Sequence, residues 1–526
     1  MFKKSYRSMS AILASSLLVS ALCACNSITG ETVENTLPTT APKATETSAV
    51  TSATTAVTGT AAAMTETEAA IEATYETAPL ESEINTDYVK IFSDVTPEML
   101  KADYWISEED NRILMNAEQI KEFNYTNRAI IKTKYGTELP LFDEFGDTLD
   151  GDILREFLQE NAESAPEDPS RYYLNGSRTT RSYWNNLIEL SNMDAVEDEI
   201  KIRYGYTVKR MTLRLFPTED RVFDGASDRF FDFNLYSECM PFMPVMVLHE
   251  STDGEYLYVV FDSYSAWVRK DAVALCKDKD DWLARQSPEQ WLVVTAREIR
   301  LGDDPHLESA RDLVLPMGTY MELVPSSEAP SEINQRTTYC DYIVKIPTRD
   351  SSGMIDDEYV LIPVSDDVSA GFLPYTPANI VRQAFKLLGD RYGWGGDLRA
   401  NDCTGIVREI YRCFGILMPR VGQSSVKGVC TTDMTDMNND EKLAVISGLT
   451  PGSLLSFSGH IMIYIGTVDD IPYVISAVGT LVAPSPEATD KLHPRTVVLN
   501  SLYVRNTGLK TWLDIVKYAV SVRPEE

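Results

Sequence analysis

The sequence predicts a multidomain chain: a helical region, two small β-barrels and a C-terminal α+β domain. Three observations carry that reading. A chain of 526 residues exceeds what one hydrophobic core organises. The apolar period changes along it, from helical over 88–199 to nearly two over 200–372, then helical and again two to the end. Turn signals such as Asp253-Gly254 and Pro451-Gly452 separate the short runs.

Residues 1–25 read as an export signal, with a basic head of Lys3, Lys4 and Arg7 and an apolar stretch from Ala11 to Ala24 too short to cross a bilayer. Leu22-Cys23-Ala24-Cys25 is similar to a bacterial lipoprotein cleavage box, which makes Cys25 the expected lipidated residue. Residues 26–87 are largely Thr, Ala, Glu and Ser, a composition that buries too little apolar surface to offset ordering, and read as a disordered tether.

The helical region spans 88–199, where Ile113, Leu114, Ile120 and Phe123, then Ile153, Leu154, Phe157 and Leu158, recur at helix spacing. A first barrel over 200–282 is read from the β-type runs beginning at Tyr206, Pro244 and Tyr256. A second, over 283–372, is read from the runs beginning at Trp291, Thr319, Asp341 and Tyr359. In the last domain, 373–526, Thr376-Pro377 opens a helix whose apolar face is Ile380, Ala384, Phe385 and Leu388. A second helix follows, then strands around 453–457, 460–466, 473–477 and 495–499.

A formal charge of −31 argues against nucleic acid as a partner, because a basic patch is the expected footprint there. Beyond the signal, Cys239, Cys276, Cys340, Cys403, Cys413 and Cys430 lack the paired spacings of a metal site, so neither metal nor cofactor is expected. Their irregular spacing fits mostly single buried thiols.

One cysteine stands apart. Tyr392-Gly393-Trp394-Gly395-Gly396 leads into Asp402-Cys403-Thr404-Gly405, and Ile406, Val407, Ile410, Tyr411 and Phe414 then share a helical face. Cys403 therefore falls in a first turn, where unpaired N–H groups and the helix dipole ease ionisation of a thiol. Among the four histidines, His249 ends an apolar run, and His306 and His493 sit in polar loops. His460 begins the alternating stretch Gly459-His-Ile-Met-Ile-Tyr-Ile-Gly466, so a rigid strand projects its ring. A cysteine at a helix start and a histidine on a later strand form a papain-like nucleophile–base pair. Asp402 reads, from its position alone, as a cap of that helix.

Taken in order, Tyr392-Gly-Trp-Gly-Gly, Asp402-Cys-Thr-Gly, Phe414-Gly-Ile-Leu-Met-Pro-Arg420 and the His460 strand resemble the NlpC-type cell-wall cysteine peptidases. Upstream, Leu213–Thr218, Tyr264-Ser-Ala-Trp-Val268, Met317-Gly-Thr319 and Gly371–Thr376 resemble members with a helical N-terminal region and two bacterial SH3-like domains. The resemblance implies cleavage of the γ-D-glutamyl bond to the diamino acid (lysine or diaminopimelate) in peptidoglycan stem peptides, preferably fragments with a free L-Ala amino end. It further implies that Asp402 pairs with that ammonium, with Tyr392 and Thr404 beside it and Tyr264 closing the groove from the first SH3-like domain. Arg420 is assigned no role beyond lining the groove.

The chain departs from the family at the third catalytic position. Relatives often carry a histidine there, and the strand Tyr473-Val-Ile-Ser-Ala477 places Ser476. A hydroxyl orients an imidazole less firmly than an imidazole or carboxylate does, which keeps a non-catalytic wall-binding module open as the alternative. The expected partners are stem peptides or muropeptides, with the membrane reached through the lipid anchor alone. The expected state is a monomer on the outer face of the bacterial cell membrane.

Overall fold

The computed structural model describes Ile84 and residues 88–166, 171–420 and 426–524. The export signal, Cys25 and, apart from Ile84, the tether lie outside the described residues. No helix among the described residues is long and apolar enough to cross a membrane.

The helical region divides between two neighbours. It contains α1 (Ala117–Thr126), α2 (Gly151–Glu163) and α3 (Arg181–Leu190). Its first part joins the core of the last domain: Met99, Trp105, Met115 and Phe123 are buried with Ile406, Ile410 and Ile461. The Trp105 indole donates to the Met99 carbonyl at 2.8 Å and packs 5.3 Å from the Tyr473 ring. Asn124 locks this arm through its own amide, donating to the Gly415 carbonyl at 2.8 Å and accepting from the Leu417 N–H at 2.9 Å. The second part packs on the first β-domain, with Leu154, Phe157 and Leu158 buried beside Tyr204, Trp267 and Trp282. The segment expected to stand as a helical domain thus shares both of these cores with its neighbours, because neither of its amphipathic halves buries its apolar face alone.

The first β-domain is a seven-stranded antiparallel sheet of β1 (Arg203–Thr207), β2 (Met211–Arg214), β3 (Leu235–Cys239), β4 (Pro244–Glu250), β5 (Tyr256–Phe261), β6 (Tyr264–Arg269) and β7 (Val273–Leu275). Their spatial order is β7-β1-β4-β5-β6-β2-β3. The second is built on β8 (Trp291–Val294), β9 (Tyr320–Leu323), β10 (Asp341–Arg349), β11 (Ile355–Pro363) and β12 (Val368–Ala370), ordered β11-β10-β9-β8-β12.

In the last domain, α4 (Pro377–Lys386) and α5 (Cys403–Arg412) pack on a six-stranded sheet. Its strands are β13 (Cys430–Asp433), β14 (Leu454–Phe457), β15 (His460–Val468), β16 (Ile471–Val478), β17 (Thr496–Ser501) and β18 (Tyr518–Ser521), in the order β13-β18-β14-β15-β16-β17. Thr376 caps α4, accepting from the Asn379 N–H at 3.2 Å, with Pro377 in the first turn. The apolar stripe of α5 joins Ile461 and Ile463 of β15 in the core. Yet Arg408, Glu409 and Arg412 on its other side are buried as well, because the first β-domain covers them.

Candidate active site

The nucleophile end begins with a turn that only glycine tolerates. Gly395 and Gly396 both have positive φ, and a Cβ on Gly396 would run into the Glu238 side chain of β3. The turn is pinned to the first β-domain by the Arg221–Asp397 ion pair, by Phe231 packing edge-on to Trp394 at 5.7 Å, and by Arg210. Arg210 pairs with Glu238 and donates to the Ala400 carbonyl at 3.2 Å.

Asp402 then caps α5. Its Oδ1 accepts from the Gly405 N–H at 2.8 Å, from the Thr404 hydroxyl at 2.9 Å and from Arg420 Nη1 at 2.8 Å. Its Oδ2 accepts from the Gly395 N–H at 3.1 Å and from Arg420 Nη2. The carboxylate is buried, and these five donors fill the roughly four lone-pair sites it offers. Arg420, assigned only a place along the groove, is therefore the direct partner of Asp402. Its Nε also donates to Ser237 Oγ of β3 at 3.0 Å. The Asp402 pKa lies below the usual carboxylate value, with burial opposing and the Arg420 charge and hydrogen bonds prevailing.

Cys403 follows in the first turn, half-buried, with its thiol beside the Ile461 N–H, one residue from His460. Burial pushes the thiol pKa up to about 12; the neighbouring Asp402 carboxylate adds to the shift, while Arg420 and nearby amides oppose it. Burial and the adjacent carboxylate thus oppose the ease of ionisation expected of a helix start.

At the base end, His460 opens β15 directly opposite Phe457 of β14. Its Nε2 lies 3.0 Å from Ser476 Oγ on β16, and Ser476 is fully buried. With Nε2 engaged there, Nδ1 is the nitrogen left to exchange a proton with a thiol. The ring also packs against aromatic neighbours, 4.9 Å from Trp512 and 5.3 Å from Phe457. Burial lowers its pKa to about 4. Among the described residues no hydrogen bond joins His460 to Cys403, and burial disfavours the charged form of each.

The remaining predicted residues fall around this centre. Tyr264 of β6 stacks on Tyr236 at 6.3 Å, and its phenol lies within electrostatic reach of Arg420 and Asp402. Tyr392 packs on the core of the last domain, its N–H donating to the Arg495 carbonyl at 2.8 Å. The other histidines are engaged elsewhere: His249 with the Asn192 carbonyl at 3.0 Å and His493 with Thr480 at 2.9 Å, while His306 lies in an exposed loop of the second β-domain. All six described cysteines are free, and Cys239, Cys276 and Cys413 are buried. Trp512 and the Arg210–Glu238–Glu409 cluster were not singled out from sequence. Trp512 lies far along the chain from His460, and Glu409 sits on the α5 face away from the apolar stripe.

The fold sets Cys403 at the start of α5 and His460 at the start of β15 in an α+β domain, with a β-domain covering the α5 face. The comparisons agree. Residues 389–478 match the model of the NlpC/P60 family, and residues 221–269 that of the SH3 domain of SH3b1 type. The chain therefore carries an NlpC/P60 domain, a cysteine-peptidase domain, behind an SH3b domain.

Among solved structures, it is similar to a novel NlpC/P60 endopeptidase from Photobacterium damselae subsp. piscicida. That match has a TM-score of 0.63 and 16% identity, and covers 81% of this chain and 97% of that one. An NlpC/P60 family protein from Bacillus cereus ATCC 10987 matches with a TM-score of 0.41 and 16% identity, over 61% of this chain and 100% of that one. The likeness to the first supports the fold. No curated protein matches the chain.

Proposed function

We propose that this protein is a cell-wall cysteine peptidase that hydrolyses the γ-D-glutamyl bond to the diamino acid in peptidoglycan stem peptides. The observation that carries the reading is the Cys403 thiol beside the Ile461 N–H, one residue from a His460 ring held through Nε2 by Ser476, in a domain matching the NlpC/P60 family. His460 Nδ1 takes the thiol proton as Cys403 Sγ attacks the scissile carbonyl carbon. The first-turn amides of α5 stabilise the resulting oxyanion. The imidazolium then returns its proton to the leaving amine, which departs and leaves a thioester. Water, deprotonated by His460, attacks that thioester and releases the peptide acid and the thiol.

Fragments with a free L-Ala end remain the preferred substrate in this proposal, with Tyr264, Tyr392 and Thr404 around that end of the groove. Asp402 reads the ammonium only if Arg420 yields part of its fork, since five donors already occupy the carboxylate. Cys25 lipidation and the 26–87 spacer place the catalytic unit outside the cell membrane in this reading. The test is mass-spectrometric detection of cleavage of L-Ala-γ-D-Glu-L-Lys and its diaminopimelate analogue, with and without an acetylated amine. No cleavage, or equal cleavage by Cys403→Ala, rejects the proposal.

A second reading, a wall-binding module without turnover, is favoured by the neutral Ser476 partner and the raised thiol pKa. Tight peptide binding with no product would support it.

A further inference from the structure

Arg420 is a buried cation that ties the nucleophile end to the first β-domain. Its Nη1 and Nη2 fork onto Asp402, and its Nε is anchored 3.0 Å from Ser237 Oγ on β3. A planar fork matched to a carboxylate fixes direction as well as charge. Asp402 in turn holds the Gly395 amide of the glycine turn and the Gly405 amide of the first helical turn. Cys403 lies between those two fixed points. The charges matter too: the Asp402 carboxylate disfavours a thiolate at Cys403, and the Arg420 guanidinium offsets it.

We propose that Arg420 is a positioning residue for the nucleophile: anchored on the first β-domain by Ser237, it neutralises and orients Asp402, and through Asp402 sets the Cys403 thiol. The assignment rests on the reading of Cys403 as the nucleophile and adds a residue to it. It also makes Ser237, on the SH3-like sheet, part of the support of the catalytic thiol.

The charges give opposite signs for two substitutions, which a purely structural role would not. In R420M the Asp402 carboxylate stays beside the thiol uncompensated, and the thiolate becomes harder to form. In D402N the guanidinium stays uncompensated, and the thiolate becomes easier to form. R420K keeps the charge and loses the fork.

The test is alkylation of Cys403 by iodoacetamide across pH in the full chain, read on the Cys403 peptide so that the exposed Cys340 does not interfere. R420M is expected to move the alkylation midpoint to higher pH and to slow the reaction at neutral pH at least tenfold. D402N is expected to move the midpoint to lower pH. R420K is expected to leave the midpoint in place and lower kcat for peptide cleavage several-fold, with KM unchanged. Wild-type profiles in both R420M and D402N, or shifts of the same sign in the two, overturn the proposal. Should R420M fail to fold, D402N and R420K decide it, since an unmoved midpoint in the first together with an unchanged kcat in the second overturns it. Alkylation needs no substrate, so a chain that cuts no wall peptide rejects the functional reading without touching this result.

Discussion

The two ends of the site are held by opposite means. The nucleophile end is over-determined by charge: one buried carboxylate and five donors, two of them from an arginine anchored on a second domain, fix the turn around Cys403. The base end is held by a single 3.0 Å contact to a neutral hydroxyl and by the Phe457 and Trp512 rings. A serine can donate or accept, so it specifies the imidazole tautomer less strictly than a carboxylate would. Aromatic packing restrains the ring without selecting which nitrogen carries the proton. The lesson is that the thiol is placed by electrostatics shared between domains, whereas the base is placed by shape within one domain.

Breaking either partner outright has the largest expected effect. Cys403→Ala and His460→Ala should each lower kcat by about 10³-fold or more, and the double variant should be little worse than either single one, because the pair acts as a unit. Strict multiplication of the two losses in a kinetic assay would show that they act independently.

Next comes Asp402→Ala. It strands a buried Arg420 and removes a helix cap, so the folded state should lose about 3–5 kcal/mol. Equilibrium denaturation measures this, and a loss under about 1 kcal/mol would show that the nucleophile end is not held as described.

Ser476→Ala breaks the comparison at its weaker end. It should lower kcat by about tenfold and cost only about 1 kcal/mol of stability, the contribution of one neutral hydrogen bond. Ser476→Asn, whose carbonyl only accepts from Nε2–H, should retain more activity than Ser476→Ala.

The pH dependence sharpens the same point. His460 titrates below its ordinary value of 6.5, towards about 4, because of burial. Its half-buried ring keeps some contact with water, so the acid limb of kcat/KM should fall between these two values. As pH falls from 6.5 towards 4, the unfolded chain binds a proton that the folded one does not, so stability should fall over that window. A Trp512→Leu substitution, which admits water to the ring, should raise that limb towards 6.5; an unmoved limb would show that the indole does not exclude water there. This is the smallest effect expected.

Much of the candidate site's local structure was legible along the chain because its parts are short-range. A glycine run before Asp402-Cys403, an N-cap spacing to Gly405 and an alternating strand after Gly459 each follow from local backbone chemistry. The order of helices and strands in the last domain was readable for the same reason. Three things were not. The helical region has one half on the peptidase core and the other on the first β-domain, a choice that depends on which apolar faces are left open by its neighbours. Only the apolar face of α5 was assigned from the sequence, and the first β-domain buries Arg408, Glu409 and Arg412 on the other side. And the partner of Asp402 lies 18 residues away, brought in by the return of the chain after Met418-Pro419.

By itself, then, the sequence determined which residues carry thiol and imidazole and which elements present them, because local periodicity and turn chemistry fix both. Only the tertiary structure decided their ionisation. Burial raises the Cys403 thiol, with the adjacent Asp402 carboxylate adding to it, and burial lowers His460. The physical reason is that desolvation and buried charge depend on what the fold lays over a group, and no local pattern records it.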